Sequence, residues 1–186
     1  MALTGWPKTL GWKHFKKLAS SPRGATVAAH IDSHWQNPPG KQFRLVRDRQ
    51  GWRLDGVNLV VSIDQNHTWV VRGQETPELL NHEQGHWDIT GLIAREAHRT
   101  YEQLRARTPE ALTEQLQHIQ TRLQNKSTRL NRKYDDETNH GVNLTPQRKW
   151  DTLIHNCLIN NKNLPDNYGT LHLTSYQNSP QSRPFH

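Results

Sequence analysis

At Arg72 the hydrophobic periodicity of the chain changes from two to about 3.6, and that switch restricts the fold more than any other feature of the 186 residues. Before it, Val57, Leu59, Val61 and Ile63 alternate with Asn58, Ser62 and Asp64, which is the pattern of a half-buried strand. "TVAAHIDSH" (Thr26 to His34), "QFRLVR" (Gln42 to Arg47) and "TWVVR" (Thr68 to Arg72) read as further strands. The links between them, "NPPGK", "RDRQG" and "DQNH", are short, which predicts an antiparallel meander.

After the switch, the dipeptide Thr-Pro occurs at residues 76–77, 108–109 and 145–146. Threonine can cap the free amides of a helix and proline fits its first position, so each dipeptide predicts a helix start. The first helix carries Leu79, His82, His86, Ile89, Ile93, Ala97 and Leu104 on one stripe. The second carries Leu112, Leu116, Ile119, Leu123, Leu130 and Tyr134, with one seven-residue gap. The expected fold is α+β, a small antiparallel sheet packed on a long antiparallel helical hairpin. One domain spans residues 1–163, and a polar tail with a short strand in "TLHLTSY" occupies 164–186.

Composition narrows the function classes. No stretch approaches the roughly 20 apolar residues of a membrane helix, so no membrane partner is expected. The chain as written opens without the apolar core of an export leader. Its net charge of +7 is spread along the sequence rather than gathered in one run, which argues against a nucleic-acid groove. A single cysteine, Cys157, rules out an internal disulfide.

Chemistry concentrates in "LLNHEQGHWDI", where His82 and His86 stand four residues apart with Glu83 between them. With 12 His and 8 Glu, a random chain of this length shows His-Glu-x-x-His roughly three times in a hundred. On a helix the two histidines lie one turn apart and can present nitrogens to one zinc ion, while Glu83 can serve as base to a water beside it. A third ligand decides between a metal site and two buried core histidines. His98 lies twelve residues beyond His86, roughly 18 Å along a helix, and cannot share the ion; Glu96 fails likewise.

The opposite helix is the better source. Counting from the Thr108-Pro109 turn, the motif lies about 22 to 26 residues back, and the same distance forward reaches Leu130 to Asp135. "YDDETNHG" follows there, offering Asp135, Asp136, Glu137 and His140 as ligands and Tyr134 as a proton donor. The expected third ligand is His140, whose neutral imidazole would complete a histidine-rich set; Glu137, which continues the stripe through Leu130 and Tyr134, is its rival, and Asp135 is expected to orient a ligand, with ligation the alternative.

"LGWKHF", "TWVVRGQETPELLNHEQGHWDIT" and "YDDETNHGVNLTPQRKW" together resemble the bacterial domain of unknown function 922, whose members are described as secreted zinc-dependent proteases. The family's His-Glu-Gln-x-His-Phe-Asp-Ile pattern is matched by His82, Glu83, Gln84, His86, Asp88 and Ile89, with Trp87 in place of Phe. Its Tyr-Asp-x-x-Thr-x-His pattern is matched by Tyr134, Asp135, Thr138 and His140. The resemblance implies zinc on His82, His86 and His140, Glu83 as general base, a protein or peptide substrate, a zincin-like domain, and a secreted or periplasmic location.

Overall fold

The computed structural model describes residues 2–22 and 24–166. In chain order they form β1 (Ala2–Thr4), a 3-10 turn (Trp12–His14), β2 (Lys16–Leu18), β3 (Ala29–His30), β4 (Ser33–Gln36), β5 (Arg44–Asp48), β6 (Gly51–Asp55), β7 (Asn58–Ile63), β8 (Trp69–Val71), α1 (Pro77–Gln103), β9 (Arg105–Ala106), α2 (Pro109–Thr138) and α3 (Leu144–Ile159). The class is α+β. The "TLHLTSY" stretch lies outside the described residues.

The strands do not make one antiparallel meander. They form three three-stranded sheets ordered β1-β7-β4, β2-β8-β3 and β5-β6-β9. β1 pairs with β7 and β2 with β8 in parallel, so two of the sheets are mixed. The N-terminal strands are three residues long, too short for an alternation to mark them. The run from Thr26 to His34 is divided between β3 and β4, which join different sheets, and "RDRQG" holds the last two residues of β5, the two-residue turn and the first residue of β6. Along β7 the expected alternation holds: Leu59 and Val61 are buried, and Asn58, Val60 and Ser62 are half-buried.

Both long helices start as the Thr-Pro dipeptides predict. Thr76 Oγ1 accepts from the Leu79 amide and Thr108 Oγ1 from the Ala111 amide, with proline at the first position. The third start differs. Asn139, His140 and Gly141 all have left-handed backbones (φ 47°, 52° and 85°), and after this turn Asn143 takes the N-cap position of α3 without a side-chain capping hydrogen bond. Thr145 and Pro146 therefore fall inside the first turn, where a missing proline N–H leaves no helical bond unmade.

Helix α1 occupies the middle of the molecule. From Trp87 to Ala97 it is buried on most of its circumference, because the sheets, α2, α3 and the N-terminal segment all pack on it. Ile89, Leu92, Ile93 and Leu123 are fully enclosed, each contributing roughly 1.5–3 kcal/mol of burial. Contacts between α1 and α2 run in opposite sequence order: Glu96 meets Lys126, His86 meets Asn131, and His82 meets Asp135. The gap in the α2 stripe holds Lys126, 4% exposed, whose Nζ contacts Glu96 Oε2 (2.8 Å), the Leu164 carbonyl (2.7 Å) and Asp166 Oδ1 (2.8 Å). Leu164, read from sequence as the first tail residue, is itself in the core.

Candidate metal centre and catalytic cleft

The Thr76 cap sets the phase of α1, so that His82, Glu83 and His86 occupy its second and third turns with all three side chains lining one cleft of ≈ 320 Å³. Asp135 and Asn131 enter it from α2, His140 from the turn after α2, and Ala29 to Ser33 from the segment between β8 and β7 in space. The cleft therefore lies where two helices and a sheet edge meet, and no single element could build it.

Three donor atoms converge. His82 Nε2 is 3.1 Å and His86 Nε2 2.9 Å from Asp135 Oδ1, and the two imidazole nitrogens are 3.2 Å apart. Each ring is fixed from behind. His86 Nδ1 lies 2.7 Å from Asn131 Oδ1, and Asn131 Nδ2 donates to the Ser127 carbonyl, which orients the amide so that its oxygen faces the ring. His82 Nδ1 lies 3.3 Å from Gln147 Oε1; the Gln147 amide nitrogen is directed to Tyr134 Oη (2.6 Å) and Asp151 Oδ1 (2.8 Å). Both Nδ1 atoms must then donate, and in the neutral rings both Nε2 atoms carry lone pairs aimed at a carboxylate oxygen.

Three acceptors in mutual contact need a cation or extra protons between them. Their separations of 2.9–3.2 Å approach the roughly 3.3 Å edge of a tetrahedron with zinc–nitrogen arms of about 2.0–2.1 Å. The donor set thus fits a zinc-sized divalent ion. Among the described residues, His82, His86 and Asp135 form such a group in the cleft.

Burial and charge shape the protonation of the cluster. Burial lowers the pKa of His82 despite its hydrogen bond to Asp135. Burial also opposes protonation of His86, but the Asp135 hydrogen bond and the Glu83 charge outweigh it and raise its pKa. For Asp135, burial is outweighed by the hydrogen bonds to His82 and His86, which hold its carboxyl below the usual range. Glu83 is the opposite case: burial pushes it up to about 7, against the pull of His86 and of the Ile31 amide. Its Oε2 is buried and has no hydrogen-bond partner among the described residues. A carboxylate poised near neutrality and free on one oxygen is suited to accept a proton.

The remaining residues singled out from sequence fall in different places. His140 reaches the cleft with Nδ1 3.2 Å from Asp135 Oδ1, but its ring is 6.2 Å from that of His82 and its side chain is 45% exposed. It attaches to the cluster through Asp135. Glu137 is not at the cleft: its carboxylate accepts from Trp150 Nε1 (2.7 Å) and pairs with Lys133 (3.0 Å), because two residues beyond Asp135 is about 200° round the helix, on the side facing α3. Tyr134 is fully buried, and its hydroxyl donates to the His82 carbonyl (3.2 Å) instead of reaching the cleft. His98 lies elsewhere, paired with Glu102. Asn131 and Gln147, which orient the histidines, carry no motif of their own; Asn131 could have been found as the residue four before Asp135 on the same helical face.

Residues 71–141 match the model of a family described as "Bacterial protein of unknown function (DUF922)". Over this segment the chain is similar to DUF922. The matched DUF922 segment begins in β8 and ends at Gly141, so it contains His82, Glu83, His86, Asn131, Asp135 and His140 but not the β3 wall or Gln147. No curated protein and no solved structure matches the chain. No helix among the described residues is long and apolar enough to cross a membrane.

Proposed function

We propose that this chain is a zinc-dependent metallopeptidase that hydrolyses peptide bonds, with His82, His86 and Asp135 as the protein ligands and Glu83 as general base. One observation carries the reading: two imidazoles locked with their Nε2 lone pairs on a single carboxylate oxygen, beside a buried carboxylate raised to about 7 in the same cleft. Asp135 is preferred to His140 as third ligand because it touches both motif histidines at once. His140 then orients Asp135 from the cleft mouth.

Zinc bound there would polarise the scissile carbonyl and acidify a water molecule. Glu83 takes the proton of the attacking water on its free oxygen and returns it to the leaving amine nitrogen as the C–N bond breaks. The substrate backbone is expected along β3. β8 is the central strand of its sheet, and β3 is the edge beside the cleft.

The test compares cleavage of an unfolded protein substrate by wild type and Glu83→Gln at matched zinc content, with a chelator control. Cleavage that is zinc-dependent and lost in Glu83→Gln supports the reading. Bound zinc with no cleavage across a broad substrate panel would make the domain a zinc-stabilised binding module instead.

A further inference from the structure

Beside the catalytic cleft lies a second cavity, of ≈ 560 Å³, and the two share Val27 and His140 as lining residues. Its remaining apolar wall is Leu79, from the first turn of α1, with Val142 and Leu144, from the entrance to α3. Val142 is 71% and Leu144 48% exposed, two of the four large hydrophobic side chains exposed among the described residues. Glu78 is the one carboxylate in the lining, and no Lys or Arg contributes to it.

The backbone explains how apolar side chains come to be held in the open here. With three successive left-handed residues, the chain reverses over His82, and a Cβ on Gly141 would stand 2.9 Å from His82 Cβ. That close approach turns His140 into the catalytic cleft and leaves Val142 on the far side of the same bend. The apolar surface is therefore anchored directly to a candidate ligand.

We infer that this cavity is a specificity subsite that receives a bulky apolar side chain, such as Leu, Phe or Met, of the residue next to the scissile bond; the inference rests on the peptidase reading. A peptide paired along the β3 edge beside Ala29 passes Thr26 to Ala28, which form the wall of the second cavity, so its side chain enters without leaving the cleft. The volume admits an aromatic ring, and an occupant there covers Val142 and Leu144. Glu78 disfavours an acidic occupant.

The test uses full-length chain carrying Glu83→Gln, so that binding is read without turnover. The probes are fluorescein-labelled heptapeptides, three alanines on each side of a central Leu, Phe, Gly, Asp or Lys, followed by fluorescence anisotropy. Leu and Phe peptides are expected to bind on the order of tenfold more tightly than Gly or Asp peptides. Val142→Ser/Leu144→Ser, changed at two exposed positions, should erase that preference while leaving the unfolding transition in place. Equal binding of all peptides, tightest binding of Lys, or no binding of any would overturn the subsite. Cleavage by wild type is scored separately: a Leu preference in binding without zinc-dependent cleavage leaves the subsite and removes the peptidase, and cleavage indifferent to the central residue does the reverse.

Discussion

The Tyr134 hydroxyl donates to the main-chain carbonyl of His82 at 3.2 Å while its ring lies stacked on the His82 imidazole, centroids 4.6 Å apart and planes 15° apart. One residue of α2 thus fixes both the backbone and the ring of a candidate ligand on α1. Room for it comes from Gly85, where a Cβ would meet Tyr134 Oη at 2.2 Å in the present arrangement. Gln147 from α3 donates to the same hydroxyl and holds His82 Nδ1, so three helices determine where one nitrogen points.

From that network, Tyr134→Phe should act on stability more than on chemistry. It removes one hydrogen bond donated to His82 and one accepted from Gln147, both buried, which costs about 1–3 kcal/mol. At saturating zinc, peptide cleavage should fall by less than about tenfold. Urea unfolding and steady-state kinetics measure the two effects. A loss of 10²-fold or more in kcat at intact stability would show that the hydroxyl reaches the substrate.

Zinc content should rank the ligands. On the metallopeptidase reading the purified protein should carry about one zinc per chain, and His82→Ala, His86→Ala and Asp135→Ala should each lose most of it. His140→Ala should weaken affinity by about 10- to 100-fold, the effect of losing a residue that orients a ligand. Metal analysis after dialysis against a graded chelator gives the order. If His140→Ala loses as much zinc as Asp135→Ala, the third ligand is His140 or both.

The motif helix and the arrival of Asp135 opposite it were legible because both depend on counting: helical rise is constant, and a capped turn between two rods fixes which residues face each other. Where the side chains of Asp135, Glu137 and His140 come to lie was not. It depends on Asn139, His140 and Gly141 all taking left-handed backbones, which swings His140 off the helix axis, and on Trp150 and Lys133 drawing Glu137 away. Sheet topology escaped for a different reason. β1, β2, β3, β8 and β9 have two or three residues each, too few for any pattern in the strands to name their partners. Gln147 was invisible because its role exists only once α3 crosses behind His82.

Lys126 marks another place where pattern and packing disagree, a charge in the middle of an apolar stripe. Lys126→Met should destabilise the fold by about 3–5 kcal/mol, because it leaves the Glu96 carboxylate and the Leu164 carbonyl buried without their cation. Adding Glu96→Gln should recover part of that loss. A single-mutant effect below about 1 kcal/mol in urea unfolding would mean that Arg122, 3.8 Å from Glu96, takes over the pairing.

Glu83 gives a prediction whose sign follows from its environment. Its pKa in the native chain is raised from 4.5 to about 7, chiefly by burial, so between those values the native state holds a proton that the unfolded state has released. Below pH 4.5 both states are protonated and the group is neutral in its effect; as pH rises toward 7 the zinc-free protein loses stability, and above 7 the full penalty remains. A shift of about 2.5 at 1.36 kcal/mol per unit sets an upper bound of about 3 kcal/mol. In Glu83→Gln this dependence is absent, so the variant should match wild type at pH 4, pull ahead of it from pH 5 and exceed it by up to that amount at pH 8, all measured by urea unfolding with chelator present. Adding zinc should narrow the gap at pH 8, because a cation beside His86 and Asp135 favours the ionised carboxylate. A stability difference that stays constant between pH 5 and pH 8 would show that Glu83 is ionised throughout, and with it would go the poised general base.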